Sequence, residues 1–275
     1  MSDVPFFSVV IPVLNEAEYL PRLLSDLKKQ TDRAFEVIIV DGGSVDATLE
    51  KARAFSDALT LTIISSERKN VCYQRNRGAR EAKGLYLVFF DADVQIPYNY
   101  LSRIRQFLQK EKVPFVTTRI KSDSHQVYDQ AIVKLVNLTM DVAQGMERPF
   151  VGGYNFMVLK SVFELVGGFR EDVVHAEDAD LSLRLHQAGY RLTVLKSPTL
   201  TFSLRRFRAE GRIKVLQKNA AATLHIFTKG PITKEIFSYP MGGLWYKLKR
   251  REEIRPQVLK QAEIRVRRFL KLFLE

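Results

Sequence analysis

The apolar positions of this chain fall into short unbroken runs that alternate with stretches of helical spacing. Residues 7–14 read Phe-Ser-Val-Val-Ile-Pro-Val-Leu, a β-branched run closed by Asn15 and Glu16. Residues 18–30 follow, with Leu20, Leu23, Leu24 and Leu27 at helical spacing. This predicts a strand and then a helix. Residues 35–41 form a second run ending on Asp41, after which Gly42-Gly43-Ser44 turns the chain into a helix that Asp46 is placed to cap. A third strand is expected over 59–64, then a helix holding Asn76, Arg77 and Gly78. The run 85–90 lies between Gly84 and Asp91-Ala92-Asp93, the pattern of a strand buried on both faces. Four such alternations predict an α/β fold: a mostly parallel central sheet flanked by helices, its ligand beyond the carboxyl ends of the strands. Asp41, Asp91 and Asp93 fall at those ends, and two carboxylates at such an edge suit a hard cation carrying phosphate oxygens.

Beyond Pro97 an amphipathic helix is expected to about Lys112, then a strand over 113–120. A longer helix over 124–146 carries apolar Val127, Ala131, Leu135, Leu138 and Val142, which suit a core helix and the wall of an acceptor groove equally. Gly152-Gly153 opens another apolar run, as a turn or as a place where backbone approaches something bound. Glu177, Asp178 and Asp180 begin a helix with Leu181, Leu185 and Ala188. Capping and the helix dipole account for one or two of these acids. A carboxylate held at a helix start is also a good general base, because its rotamer is restrained while it faces a cleft.

Composition narrows the picture. At 275 residues and 46% hydrophobic content the chain can bury a large core. Its single cysteine, Cys72, excludes an intramolecular disulfide, suits a reducing compartment and is expected to be packed. No signal-peptide pattern opens the sequence, and no apolar run reaches the ~20 residues of a membrane-spanning helix. A cytoplasmic protein, soluble or peripheral at the inner face of the cell membrane, is expected. Residues 203–275 hold 18 Lys and Arg against 6 Asp and Glu, which equals the whole +12 net charge. The expected organisation is therefore a catalytic domain over 1–202 and a basic, mainly helical extension over 203–275. From Pro256 onward Leu259, Ala262, Val266, Phe269, Leu270 and Phe273 recur at helical spacing beside Lys260, Arg265, Arg267, Arg268 and Lys271. Such a helix packs on the domain or lies on an anionic membrane surface. Nucleic-acid binding is the rival use of the charge, although no recognised nucleic-acid module accompanies it.

With these pieces in place, residues 7 to about 190 resemble an inverting family-two glycosyltransferase with the type A nucleotide-sugar-binding fold. Ser8-Val9-Val10-Ile11-Pro12-Val13-Leu14-Asn15-Glu16 resembles the family's opening strand and loop, which implies nucleobase and ribose contacts at Pro12, Asn15 and Glu16. The stretch from Val40 to Thr48 resembles its second nucleotide loop, except that the second of two usual acids is Gly42, which leaves the base contact to Asp41. Asn76-Arg77-Gly78 resembles the segment near the diphosphate and Asp91-Ala92-Asp93 the metal motif. Gly152-Gly153 and Gly167-Gly168-Phe169 resemble the acceptor-side turns, with Gly153 also reaching the donor, and Glu177-Asp178 the acidic pair that supplies the base.

The resemblance implies a donor nucleotide sugar, UDP-sugars being the commonest, and Mn²⁺ or Mg²⁺ held by Asp93 with Asp91. Asp91 is alternatively a ribose or sugar contact. Asp178 would take the proton of an acceptor hydroxyl, on a lipid-linked or other cell-envelope glycan, as that hydroxyl attacks the anomeric carbon with inversion. Glu177, Gly152 and Gly168 would lie on the acceptor side, and Arg205 and Arg206 would close over the diphosphate. The Gln-x-x-Arg-Trp motif of processive synthases is absent, Trp245 standing between Leu244 and Tyr246, so transfer of single sugars is expected. The competing readings are a nucleotidyltransferase of similar fold, whose glycine-rich basic loop is missing, and a non-catalytic protein binding anionic membranes or nucleic acid.

Overall fold

The computed structural model describes residues 4–145, 149, 151–239, 241–243, 245 and 246. The first half alternates β1 (Phe7–Val13), α1 (Leu20–Lys28), β2 (Phe35–Asp41), α2 (Thr48–Arg53), β3 (Leu61–Ser65), α3 (Val71–Glu81), β4 (Tyr86–Phe90) and α4 (Tyr100–Glu111). There follow β5 (Phe115–Ser122), α5 (Val127–Gln144), β6 (Asn155–Leu159), α6 (Lys160–Leu165), α7 (Glu177–Gln187), β7 (Thr193–Phe202), α8 (Arg205–Glu210) and α9 (Arg212–Lys229). The strands make one seven-stranded sheet in the order β3-β2-β1-β4-β6-β5-β7. All neighbours are parallel except that β6 runs antiparallel between β4 and β5. The mostly parallel α/β architecture expected from the pattern is the one observed.

Alternation along the buried strands splits the core into two layers. Val9, Ile11, Val37, Ile39 and Val88 face one layer, with Leu20, Leu23, Leu24 and Leu27 of α1. Burial of each such leucine contributes roughly 1.5–3 kcal/mol. Val10, Ile38, Val40, Leu87 and Phe89 face the other, where the rings of Phe156, Phe163 and Phe169 lie 4.9–5.4 Å from Phe89. Cys72 is packed in this second layer.

Three details depart from the expected pattern. The central strand starts at Tyr86, and Leu85 before it is half exposed. Residues 193–202 form β7, an edge strand whose pairing with β5 is interrupted around Pro198, and that proline breaks the run of strand formers in the sequence. The third concerns α5. Its buried face is Asp129, Ile132, Val133 and Met140, whereas Val127, Ala131, Leu135, Leu138 and Val142 point outward. The stripe does not pack in the core as one of its two readings expected, and a second apolar stripe does the packing.

Past Phe202 the chain stays on the domain. Leu204, Phe207 and Val215 join the first core layer. Residues 241–243 return to the loop after β1, where Gly243 donates its N–H to the Leu14 carbonyl at 3.0 Å. A Cβ on Gly243 would collide with the Asn15 carbonyl oxygen, so only glycine allows this approach. The amphipathic stretch from Pro256 onward lies outside the described residues.

Candidate active site

The carboxyl ends of β1, β2 and β4 lie side by side, because the three strands are parallel neighbours in register. The first loop closes on the second. Asn15, in the left-handed region at φ 57°, donates its N–H to Ser44 Oγ and accepts from Val45 N–H through Oδ1. Glu16 N–H donates to Thr48 Oγ1 at 2.7 Å, while Asp46 accepts from Thr48 N–H and so caps α2 from one residue beyond its N-cap, Ala47. Asp41 is buried, and its carboxylate accepts from Gly43 N–H, Ser44 N–H and Ser44 Oγ at 2.5–3.2 Å. It therefore shapes the loop from beneath. Pro12 lies next to last in β1, opposite Val40.

The helix α3 delivers the central group. Asn70 caps its start, and Gln74 donates to the carbonyls of Val13 and Val40 at 3.0 and 2.8 Å, which pins α3 to the ends of β1 and β2. The next residue, Arg75, has a side chain only 3% exposed. Its Nη2 donates to Asp91 Oδ1 at 3.0 Å and to the Gly153 carbonyl at 3.1 Å, and its Nη1 donates to Glu177 Oε1 at 2.7 Å. Burial opposes this charge, and Asp91 and Glu177 more than offset it, so its pKa is raised. The glycine pair at 152 and 153 has its reason here. A Cβ on Gly153 would meet Arg75 Nη2 at 2.7 Å, and one on Gly152 would enter the Tyr154 ring, so the close approach is to the protein's own side chains.

Across Arg75 lies the start of α7. Its N-cap is Ala176, and no side chain caps it. Each of the three acids instead has a partner. Glu177 takes Arg75, and Asp180 takes Arg184 Nε at 2.9 Å, which in turn holds the carbonyls of Val166 and Gly168. Asp178 accepts from Gly153 N–H at 2.6 Å and from Ala179 N–H at 2.8 Å. Burial, with the adjacent Glu177 charge, pushes its carboxyl up to about 7, against the pull of the Gly153 N–H and Arg75. A half-buried carboxylate with that affinity for protons, fixed by two backbone donors, is suited to take a proton near neutral pH.

On the other side, Arg205 at the head of α8 forks onto Glu16, with Nη2 to Oε1 at 2.6 Å and Nη1 to Oε2 at 2.8 Å. Its Nε pairs with Asp93 Oδ2 at 2.7 Å. The rings of Tyr19 and Tyr246 lie 4.5 and 4.7 Å from its guanidinium carbon. Burial pushes Glu16 up to about 7 although Arg205 pulls the other way. The forked contact to two donors belongs to the ionised carboxylate, so we read Glu16 as charged at neutral pH. Burial likewise raises Asp93, with Arg205 opposing. Arg206 lies on the Tyr239 ring at 3.6 Å and beside Glu210.

A family model described as Glycosyl transferase family 2 matches residues 8–167, more than half of the chain and all of the strand ends just described as far as Gly153. The chain belongs to that family. This glycosyltransferase is 31% identical over 202 residues to glycosyltransferase AglE of Haloferax volcanii, covering 70% of this chain and 65% of AglE. It spans 54% to 65% of the length of AglE and two further curated relatives. Its fold matches S. aureus TarS 1-349 in complex with UDP-GlcNAc at a TM-score of 0.60, with 21% identity over 72% of this chain and 58% of that one. It also matches the mannosyltransferase PcManGT from Pyrobaculum calidifontis, in complex with GDP-Man and Mn²⁺, at 0.61, with 23% identity over 79% and 65%.

Within this glycosyltransferase the structure brings Asp91, Gly153, Glu177 and Asp178 together around Arg75, and Glu16 and Asp93 around Arg205. Asn76 and Arg77, expected near the diphosphate, sit elsewhere. Asn76 binds the Phe169 backbone through both ends of its amide, and Arg77 pairs with Glu81 along the outside of α3. Gly168, at φ 65°, packs on Asn76 and Phe163. The cation that α3 brings to this edge is Arg75, one residue before the stretch that carried the resemblance. Helical phase signals it: Cys72, Gly78 and Ala79 are buried at i−3, i+3 and i+4 from Arg75, so Arg75 faces in where Arg77 faces out.

Among the described residues no cluster of three or more His, Cys, Asp and Glu converges on one point. Asp91 is 41% exposed and Asp93 12%, each with one oxygen on an arginine. This set fits Mg²⁺ or Mn²⁺ bound through one or two carboxylates and completed by phosphate oxygens, and it does not make an all-protein cage. Asp93 becomes available to such an ion once Arg205 leaves it.

Proposed function

We propose that this glycosyltransferase moves a single sugar from a nucleotide-diphosphate sugar to an acceptor hydroxyl with inversion of the anomeric configuration. The observation that carries this reading is Asp178, half-buried, fixed by two backbone donors and with its carboxyl pushed up to about 7, on the far side of Arg75 from Asp91. Asp178 takes the acceptor proton as the hydroxyl attacks. Arg75 holds Glu177 and Asp91 in fixed relation, which keeps the base and the donor carboxylate in register. The loops around Asn15, Glu16 and Asp41 receive the nucleoside. Asp93 and Asp91 would hold a divalent ion, which supplies charge stabilisation to the departing diphosphate. Arg205 exchanges Glu16 and Asp93 for the diphosphate oxygens. UDP-GlcNAc, UDP and GDP-Man in the related structures support a nucleotide-sugar donor, and a UDP-sugar is the first choice.

Residues 1–202 carry the carboxylates of the reaction and the basic extension 203–275 adds Arg205 to the site, while the excess charge of the extension holds the protein peripherally on an anionic membrane, at the side where a lipid-linked envelope glycan would be offered. Among the described residues no helix is long and apolar enough to cross a membrane.

A panel of nucleotide sugars with Mn²⁺ or Mg²⁺ tests the donor claim. The true donor at 100 times its dissociation constant raises stability by about 2.7 kcal/mol. The product's anomeric configuration, read by NMR, tests the mechanism: a retained configuration overturns Asp178 as the base of a single displacement.

A further inference from the structure

Helix α5 is apolar on two opposite faces, and the interior uses one. Val127 is 78% exposed, Leu135 47%, Leu138 59% and Val142 54%, with Ala131 exposed among them. At 3.6 residues per turn these five fall within an arc of about 80°. The acids of α5 are withdrawn from that face. Asp129 is fully buried between Arg208 at 3.1 Å and Arg212 at 2.8 Å, and Asp141 is held by Arg119. The charge left on the exposed side is Lys134. Through Arg212, which also donates to Gln126, the start of α9 is tied to the start of α5. Helix α9 has no Asp or Glu, exposes Ile213 (55%) and Leu224 (64%), and presents Lys214 and Lys229.

We infer that the exposed faces of α5 and α9 form a surface that seats the protein on an anionic lipid bilayer. Apolar side chains carried beside unpaired lysines, with no free carboxylate among them, suit the headgroup boundary of such a membrane: the apolar groups enter it while the lysines meet lipid phosphates. A second copy of the chain fits this surface poorly. A two-fold axis through the middle of α5 would bring Lys134, which flanks the stripe halfway along the helix, beside its own counterpart, a like-charge repulsion at the edge of a narrow apolar contact. The inference rests on the peripheral attachment proposed above and adds a second contact to the basic extension, located on the catalytic domain itself.

The test uses the full chain with vesicles of phosphatidylglycerol and phosphatidylcholine, and with phosphatidylcholine alone as control. Leu135→Gln/Leu138→Gln alters two exposed side chains, so the fold and transfer to a water-soluble acceptor stay at the wild-type level. Binding to the anionic vesicles drops about tenfold or more, as expected when two inserted side chains are removed. A fluorophore on Leu138→Cys shifts to the blue with anionic vesicles, and one on Lys110→Cys, whose parent side chain is exposed on α4, does not; the native Cys72 is buried. Three results overturn the inference. The first is double-variant binding within twofold of wild type. The second is an unmoved label on a protein that still co-sediments, which would assign docking to the extension alone. The third is a dimer that the double variant dissociates with vesicle binding intact. None of these outcomes touches the sugar-transfer reading, which the activity of the same variant reports separately.

Discussion

Two arginines organise the two halves of this active-site edge, and they are built differently. Arg75 projects from the middle of the eleven-residue α3, is 3% exposed, and joins three elements through Asp91, Glu177 and the Gly153 carbonyl. Arg205 opens the six-residue α8, is 13% exposed, and among the described residues its side chain binds carboxylates and aromatic rings, one of them Tyr246 from the returning segment. A backbone carbonyl cannot leave, so Arg75 is a fixed strut between donor and base. Carboxylates held by a forked guanidinium are exchangeable for phosphate oxygens of similar geometry, so Arg205 is suited to change partners. One half of the site is prebuilt, and the other is held by contacts of the kind a phosphate ligand replaces.

The sharpest way to break this contrast is Arg75→Ala. It strands Glu177 in a poorly solvated place, whereas Asp91, 41% exposed, is hydrated once freed, so the cost lies at the lower end of the about 3–5 kcal/mol for breaking a buried pair. Urea unfolding reads that loss, and sugar transfer disappears with it. A loss below about 1 kcal/mol would show that Arg75 is not the strut described. Next in size is Asp180→Ala, which frees Arg184 from the turn at 166–168 and costs about 3 kcal/mol. Because Asp180 faces away from the strand ends, kcat below the melting temperature stays close to wild type. A dead but stable Asp180→Ala would place the base at Asp180. Smallest is Arg205→Ala, where donor KM rises about tenfold, the order expected for one lost charge-assisted contact. The Mn²⁺ concentration for half-maximal nucleotide binding falls, since Asp93 no longer has a resident cation. If that concentration is unchanged, Arg205 and the ion do not share Asp93.

The same contrast explains what could be read along the chain. Asp41, Asp91 and Asp93 were legible because an unbroken apolar run that stops on an acid marks a buried strand reaching the sheet edge. Asp178 was legible as one acid more than a helix start requires. What such patterns do not contain is partnership. Arg75 acts through residues 16, 78 and 102 positions away, and only the inward phase of α3 hints at it. Arg205 meets Glu16 across 189 positions. The packing face of α5 was not legible for a related reason: both of its stripes are apolar, and periodicity alone does not say which one a sheet will cover. Strand β7 was hidden by Pro198, which an edge position tolerates and a central one would not.

The central claim is that Asp178 is the base, and the pH dependence of kcat/KM for wild type and Asp178→Asn tests it most directly. With the carboxyl raised to about 7, the protonated and inactive form gains as pH falls, so the wild-type rate drops tenfold per unit below about 7 and levels off above it. The same raised pKa means that the contribution of Asp178 to stability is fully present below the ordinary carboxylate range and is lost as pH rises through about 7, opposite to the trend in rate. In Asp178→Asn the half-buried charge is gone and one of the two backbone donors loses its acceptor, two opposing changes that leave the protein folded and the donor site intact. The account predicts a kcat lower by about 10²–10⁴, no acid limb near 7 and an unchanged donor Kd. A variant that transfers sugar at the wild-type rate with the same acid limb would contradict it.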